Sequence, residues 1–123
     1  MKKFLLINPP LALMQRYGFL SAAGGVEIPF GLCTLAASLR KAGFDAGIID
    51  CQAMNYDDQA LLNIILSEKP DYVGFSATTP QIRHAAVLAV KIKAINVSTV
   101  IFIGGSHVSA LGRRIINKIK LKE

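Results

Sequence analysis

Short apolar runs alternate with amphipathic stretches along the chain. The apolar runs predict strands that are buried on both faces, because such strands appear as unbroken hydrophobic segments; they are Phe4–Ile7, Ala46–Asp50, Tyr72–Phe75 and Thr99–Ile103. In the amphipathic stretches, apolar residues recur at the spacing of one helix face, and these stretches cover Gly31–Ala42, Asp57–Leu66, Pro80–Ile95 and Ser109–Lys120.

Capping residues support the predicted helices. Gly43 follows the first helix at a position where helices commonly end. Asp57 or Asp58 is placed to cap the second helix. Thr79 is placed to cap the third helix, with Pro80 at its first position. The pattern therefore fixes where we expect each strand to lead into its helix.

Strand and helix alternate four times, which predicts an α/β fold: a doubly wound, flavodoxin- or Rossmann-like parallel sheet with right-handed crossovers. Ligands of such sheets bind beyond the carboxyl ends of the strands. The first connection, from Asn8 to about Pro29, is far longer than the usual ~2–6 residues. Flavodoxin-like sheets usually have a fifth strand, so strand Thr99–Ile103 is left at an edge. We expect either a longer parent protein or a second copy that pairs there.

Composition narrows the class of protein. The length of 123 residues predicts a single domain over residues 1–123, incomplete at its C-terminus. The composition, with 52% hydrophobic and 18% charged residues, excludes a disordered chain. No apolar run is long enough to span a membrane, and the N-terminus lacks the features of a signal peptide, so we predict a cytoplasmic location. The net charge is +6, and many of the basic residues lie near the C-terminus. No aromatic residue lies among them, which argues against nucleic-acid binding. Cys33 and Cys51 lack metal-ligand spacing and are expected to be buried, inert thiols.

Candidate site residues follow the first two predicted strands. Asn8, Pro9 and Pro10 come after the first strand, where the prolines stiffen the exit. Asp50 ends the second strand, the place where dinucleotide-binding folds hold a ribose hydroxyl. These residues are suited to binding a ligand rather than to acid–base chemistry.

Further candidates follow the third and fourth strands: Ser76, Ala77, Thr78 and Thr79, then Gly104, Gly105, Ser106 and His107. The hydroxyl groups either contact a ligand or only cap the following helix. The glycines allow a bulky planar or phosphate-bearing ligand to approach the backbone. His107 is either a ligand contact or a surface residue.

Several function classes lack their defining residues. The P-loop and Gly-x-Gly-x-x-Gly fingerprints are absent. Asn8 and Ser76 stand where a response regulator needs acidic residues. No set of residues supports nucleophilic or acid–base catalysis, so we assign no catalytic and no metal-ligating residue.

The ordered motifs resemble the N-terminal cobalamin-binding domains of cobalamin-dependent radical S-adenosylmethionine enzymes. The resemblance covers nearly the whole chain and is carried by Leu5–Pro10, Ile28–Leu32, Leu35–Gly43, Ile49-Asp50, Pro70–Thr79 and Ile103–Ala110. It implies that Ser76-Ala77-Thr78 and Gly104-Gly105 contact the nucleotide tail and the corrin edge. A side chain at the second glycine would then meet the tail, so we expect Gly105→Val to abolish binding and leave the fold nearly intact. Asn8-Pro9-Pro10 replaces the Asp-x-His-x-x-Gly motif of other cobalamin domains, which implies that no histidine of the first loop ligates cobalt.

The resemblance also implies that the chemistry belongs to another part of the parent protein. In this family a following domain with a Cys-x-x-x-Cys-x-x-Cys motif holds an iron–sulfur cluster and S-adenosylmethionine, and this sequence lacks that motif. We therefore expect a cobalamin-binding module that is not catalytic alone. Two alternatives stay open: a cofactor-free flavodoxin-like assembly module that dimerises through residues 99–103, and a small nucleotide-binding enzyme.

Overall fold

The computed structural model describes residues 2–10, 29–78 and 81–105. Strands and helices alternate through them in the order β1 Lys3–Asn8, α1 Phe30–Lys41, β2 Asp45–Asp50, α2 Asp58–Glu68, β3 Tyr72–Ser76, α3 Ile82–Ile95 and β4 Val100–Gly104. The predicted α/β fold is confirmed. The predicted helix at Ser109–Lys120 and residues 11–28 of the long first loop lie outside the described residues.

The strands form one sheet in the order β2-β1-β3-β4, and every neighbouring pair is parallel. At the centre, Ile7 of β1 lies between Ile49 of β2 and Phe75 of β3. The chain winds to one side of β1 to form β2 and to the other side to form β3 and β4. The winding direction therefore changes between β1 and β3, and a ligand crevice is expected at that point.

Helices cover both faces of the sheet, and each face has its own core. The larger core packs α2 and α3 against the central strands, with Leu61, Leu88 and Ile92 almost fully buried. The smaller core lies under α1 and is formed by Leu6, Leu32, Ala36 and Ala46. Burial of these apolar side chains is the main force that holds the helices on the sheet. Within the described residues, no helix is long and apolar enough to cross a membrane.

Aromatic rings cross the sheet on the α1 face. The ring of Phe4 stacks on Tyr72 with centroids 5.2 Å apart and on Phe102 at 5.8 Å. The ring of Phe44 meets Phe4 edge-on at 6.3 Å. These rings connect β1, β3 and β4 in geometries that aromatic pairs prefer.

The predicted roles of Gly43 after α1 and of Asp57 before α2 are confirmed, although α2 runs to Glu68, beyond the predicted Leu66. Asp57 caps α2, since its Oδ1 accepts a hydrogen bond from the backbone N–H of Ala60 at 2.8 Å. Gly43 follows α1 with a φ of +96°, which favours glycine, and its N–H donates to the carbonyl of Arg40. Local sequence signals therefore determine where these two helices stop and start.

Some predicted boundaries are wrong. The strands β1, β3 and β4 each extend one residue further than predicted, to Asn8, Ser76 and Gly104. The α-helix α3 spans Ile82–Ile95 and is preceded directly by Gln81; Thr79 and Pro80, the predicted cap and first residue, lie outside the described residues. The longer strands make the candidate site residues Asn8, Ser76 and Gly104 part of the sheet.

Candidate functional site

The carboxyl end of every strand carries a residue predicted for the site. Asn8, Asp50, Ser76 and Gly104 are the last residues of β1, β2, β3 and β4. The strand register places Asn8 opposite Asp50 and Ser76 opposite Gly104. These residues therefore form a row along the carboxyl edge of the sheet, on both sides of the point where the winding direction changes. Their backbones are part of the sheet, so their positions are well defined.

We call Asn8, Pro9, Asp50 and Gln52 the β1–β2 rim. Asn8 Nδ2 donates a hydrogen bond of 2.9 Å to Asp50 Oδ1. Gln52 Nε2 lies 3.3 Å from Asn8 Oδ1 and 3.2 Å from the carbonyl oxygen of Pro9. The same Asp50 oxygen also accepts from the backbone N–H of Ala53 at 3.1 Å. One oxygen of Asp50 is thus used to hold the turn after β2, and Gln52 joins the site although no motif in the sequence indicated it.

We call Ala77, Thr78, Gln81, Gly104 and Gly105 the β3–β4 rim. The backbone N–H of Ala77 donates to the carbonyl of Gly104 at 2.9 Å. Gly105 has a φ of +123°, and a Cβ on it would lie 2.4 Å from the carbonyl oxygen of Ala77. The close approach of the Ala77 carbonyl therefore explains why a glycine stands at this position, without reference to a ligand. The expectation that Gly105→Val would leave the fold nearly intact is wrong, because the side chain would push the two loops apart.

Gly104 differs from Gly105 in its surroundings. A Cβ built on Gly104 would meet no heavy atom within 4 Å among the described residues. Gly104 is also part of β4, a conformation that any residue adopts easily. Its missing side chain therefore leaves open space beside the end of β4, and no packing need of the described fold explains that space.

Thr78 is exposed, whereas Gln81, which holds it, is only 9% exposed. Gln81 Oε1 accepts hydrogen bonds from the backbone N–H and from Oγ1 of Thr78, both at 3.0 Å. The contact has the Thr-x-x-Gln spacing of a capping box, in which a glutamine side chain accepts from the backbone N–H of the residue three positions earlier. The sequence analysis missed Gln81, although its Thr-x-x-Gln spacing is a signal that could have identified it.

The structure describes only some of the other residues predicted for the site. Pro9 and Pro10 are buried directly after β1. Thr79, Ser106 and His107 lie outside the described residues, so their predicted roles stay predictions.

Titratable groups close to the carboxyl edge lie in an ion pair or in a buried position. No group of at least three His, Cys, Asp or Glu side chains that could hold a metal ion occurs among residues 2–10, 29–78 and 81–105. His84 Nε2 lies 2.7 Å from Asp58 Oδ1, where it connects α3 to the start of α2. Burial, with smaller effects of Asp50 and Asp58, raises the pKa of the Cys51 thiol to about 12, so this thiol stays protonated at neutral pH. The expectation of two buried thiols is wrong for Cys33, which is exposed.

A parallel sheet of order β2-β1-β3-β4 with helices on both faces defines a flavodoxin-like α/β domain. Its carboxyl edge presents amide and hydroxyl groups and an open glycine, which suits a binding domain. The family model described as "B12 binding domain" matches residues 18–121, and the chain belongs to this family. The family assignment supports cobalamin as the cofactor.

A methyltransferase is among the similar proteins. An uncharacterized methyltransferase from Pyrococcus horikoshii is 33% identical to the chain over 108 residues. The matched region covers 87% of this chain and 22% of the relative. The chain thus spans about a fifth of the length of this relative.

Proposed function

We propose that this chain is the cobalamin-binding module of a larger methyl-transferring enzyme. The match of residues 18–121 to the B12-binding family carries the proposal. The open space beside Gly104 fits it, because a bulky planar cofactor needs close access to the backbone. The exposed Thr78 adds a polar group at the same rim.

The residues at the strand ends suit the binding role. When bound, cobalamin supplies a cobalt centre that can carry a methyl group. Ser76, Thr78 and the backbone of Gly104 would contact the cofactor from the β3–β4 rim, while Asn8 and Pro9 would border it from the β1–β2 rim. Since Asn8-Pro9-Pro10 lacks a histidine, the first loop would supply no imidazole to cobalt.

The test is whether the purified chain retains hydroxocobalamin. After mixing and gel filtration, we expect the visible absorbance of the corrin to elute with the protein. We expect Gly104→Val to lower the affinity at least ~10-fold, or about 1.4 kcal/mol, because the added side chain occupies the open space. Its stability should be unchanged or higher, since a β-branched residue suits a strand better than glycine.

The matched control is Val100→Ile, which enlarges a side chain on the same face at the other end of β4. This variant should bind like the wild type. Wild-type protein that retains no corrin at saturating cofactor contradicts the proposal. A folded Gly104→Val variant with wild-type affinity contradicts the placement of the cofactor.

The finer proposal concerns the parent enzyme. We propose that it is a cytoplasmic radical S-adenosylmethionine enzyme whose other domain holds the iron–sulfur cluster and S-adenosylmethionine. The motifs described in the sequence analysis support it, as does the fact that this chain corresponds to only 22% of its methyltransferase relative. Reading the genomic sequence downstream of the Glu123 codon tests it: a continuing frame with Cys-x-x-x-Cys-x-x-Cys is expected, and a continuing frame without it contradicts the proposal.

A second candidate is self-association through β4, the edge strand. Val100 is 44% and Phe102 50% exposed on this strand, which is unusually apolar for an edge. Pairing of two copies along β4 would cover both side chains. This role is compatible with cofactor binding, and its test is given in the Discussion.

A further inference from the structure

The two hydrogen bonds between Thr78 and Gln81 fix which atoms donate and which atom accepts. The backbone N–H of Thr78 can only donate, so the Gln81 side-chain atom 3.0 Å away must be the carbonyl oxygen Oε1. A carbonyl oxygen can only accept, so the Thr78 hydroxyl, also 3.0 Å away, must donate to it. The single hydroxyl proton of Thr78 is therefore already committed inside the protein.

The two residues of this pair differ in burial. Gln81 is 9% exposed, while Thr78 is exposed at the rim. The preceding residue, Ala77, is tied to Gly104 by its backbone N–H. A buried amide therefore holds an exposed hydroxyl at the rim, one residue after the backbone contact between Ala77 and Gly104.

We propose that Gln81 is a positioning residue that presents Thr78 to the cofactor as a hydrogen-bond acceptor only. This inference rests on the proposed cobalamin function. Thr78 would accept from an N–H or O–H group of the cofactor and would not donate to its phosphate. Cobalamin offers such donors in two places, the amide side chains of the corrin ring and the ribose hydroxyl of the nucleotide tail.

The first experiment needs no cofactor. Amide hydrogen exchange of Thr78 is compared in the wild type, Gln81→Met and Gln81→Glu. Methionine keeps the length of the side chain but has no acceptor for both donors, so exchange of the Thr78 amide should rise at least tenfold. Glutamate at pH 8 keeps an acceptor oxygen and should restore protection. The Ala77 amide, which bonds to Gly104, should stay protected in all three proteins and serves as the internal control.

The second experiment measures affinity for hydroxocobalamin. Gln81→Met and Thr78→Val should each weaken binding five- to tenfold, the double variant should be no weaker than either single variant, and Gln81→Glu should bind like the wild type. Cobinamide, which keeps the corrin amides but lacks phosphate and ribose, identifies the donor. An equal loss with cobinamide assigns the bond to a corrin amide, and no loss assigns it to the ribose hydroxyl.

The outcomes separate this inference from the proposed function. Unchanged Thr78 exchange in Gln81→Met overturns the positioning role, and so does wild-type affinity in that variant. A wild-type chain that retains no corrin, combined with faster Thr78 exchange in Gln81→Met, overturns the cobalamin function and leaves the positioning role of Gln81 intact.

Discussion

At the scale of single residues, the two cysteines differ in environment and should differ in chemistry. Cys51 is fully buried after β2, whereas Cys33 is exposed on α1. With a thiol reagent at pH 8, we expect one cysteine, Cys33, to react in the native protein. Cys51 should react only after denaturation, because its pKa is raised and the reactive thiolate is scarce. Mass spectrometry of the labelled peptides measures both.

The raised pKa of Cys51 also predicts how stability depends on pH. Below pH 9 the thiol carries its proton in both the folded and the unfolded chain, so it has no effect. Between pH 9 and about 12 it ionises only in the unfolded chain, and stability should fall with a slope of up to about 1.4 kcal/mol per pH unit. Denaturant titrations of wild type and Cys51→Ala across this range test the prediction. An equal slope in the two proteins contradicts it.

At the scale of elements, the edge strand β4 should decide whether the chain associates. Lysine on an edge strand opposes pairing with another chain. We expect light scattering to show dimers of the wild type and monomers of Val100→Lys. Val97→Lys is the matched control, because Val97 is also exposed but precedes the strand. Dimers that persist in Val100→Lys, or a monomeric wild type, would show that β4 is not the pairing edge.

The elements themselves were largely predictable from the sequence. The period of apolar residues identified every strand and helix that the structure describes, because burial on a sheet imposes that period. Asp57 and Gly43 act within one helical turn, so their capping roles could be predicted as well. The predicted start of α3, with Thr79 as cap and Pro80 as first residue, falls outside the described residues and stays a prediction. The hydrogen bond from Thr78 to the side chain of Gln81, just before α3, was not predicted.

At the scale of the whole molecule, the placement of the candidate residues at the strand ends was predictable, but the hydrogen bonds between them were not. The strand ends follow from the fold class. The bond between Asn8 and Asp50 joins residues separated by 42 positions, and it depends on the exact register of β1 and β2. The glycines were both predicted, but only the structure shows that Gly105 is needed by the backbone of Ala77 while Gly104 faces open space.

The division of the site into two rims has a thermodynamic consequence. Among residues 2–10, 29–78 and 81–105, no side-chain hydrogen bond connects the β1–β2 rim to the β3–β4 rim. In the free protein, the losses of unfolding free energy from Asn8→Ala and Gln81→Met should therefore add within about 0.5 kcal/mol in the double variant. A double-mutant cycle on cofactor affinity should instead show a coupling energy above about 0.5 kcal/mol if the cofactor occupies the proposed place between the rims and contacts both. The bound cofactor, rather than the polypeptide, would then make the two halves of the crevice a single cooperative unit.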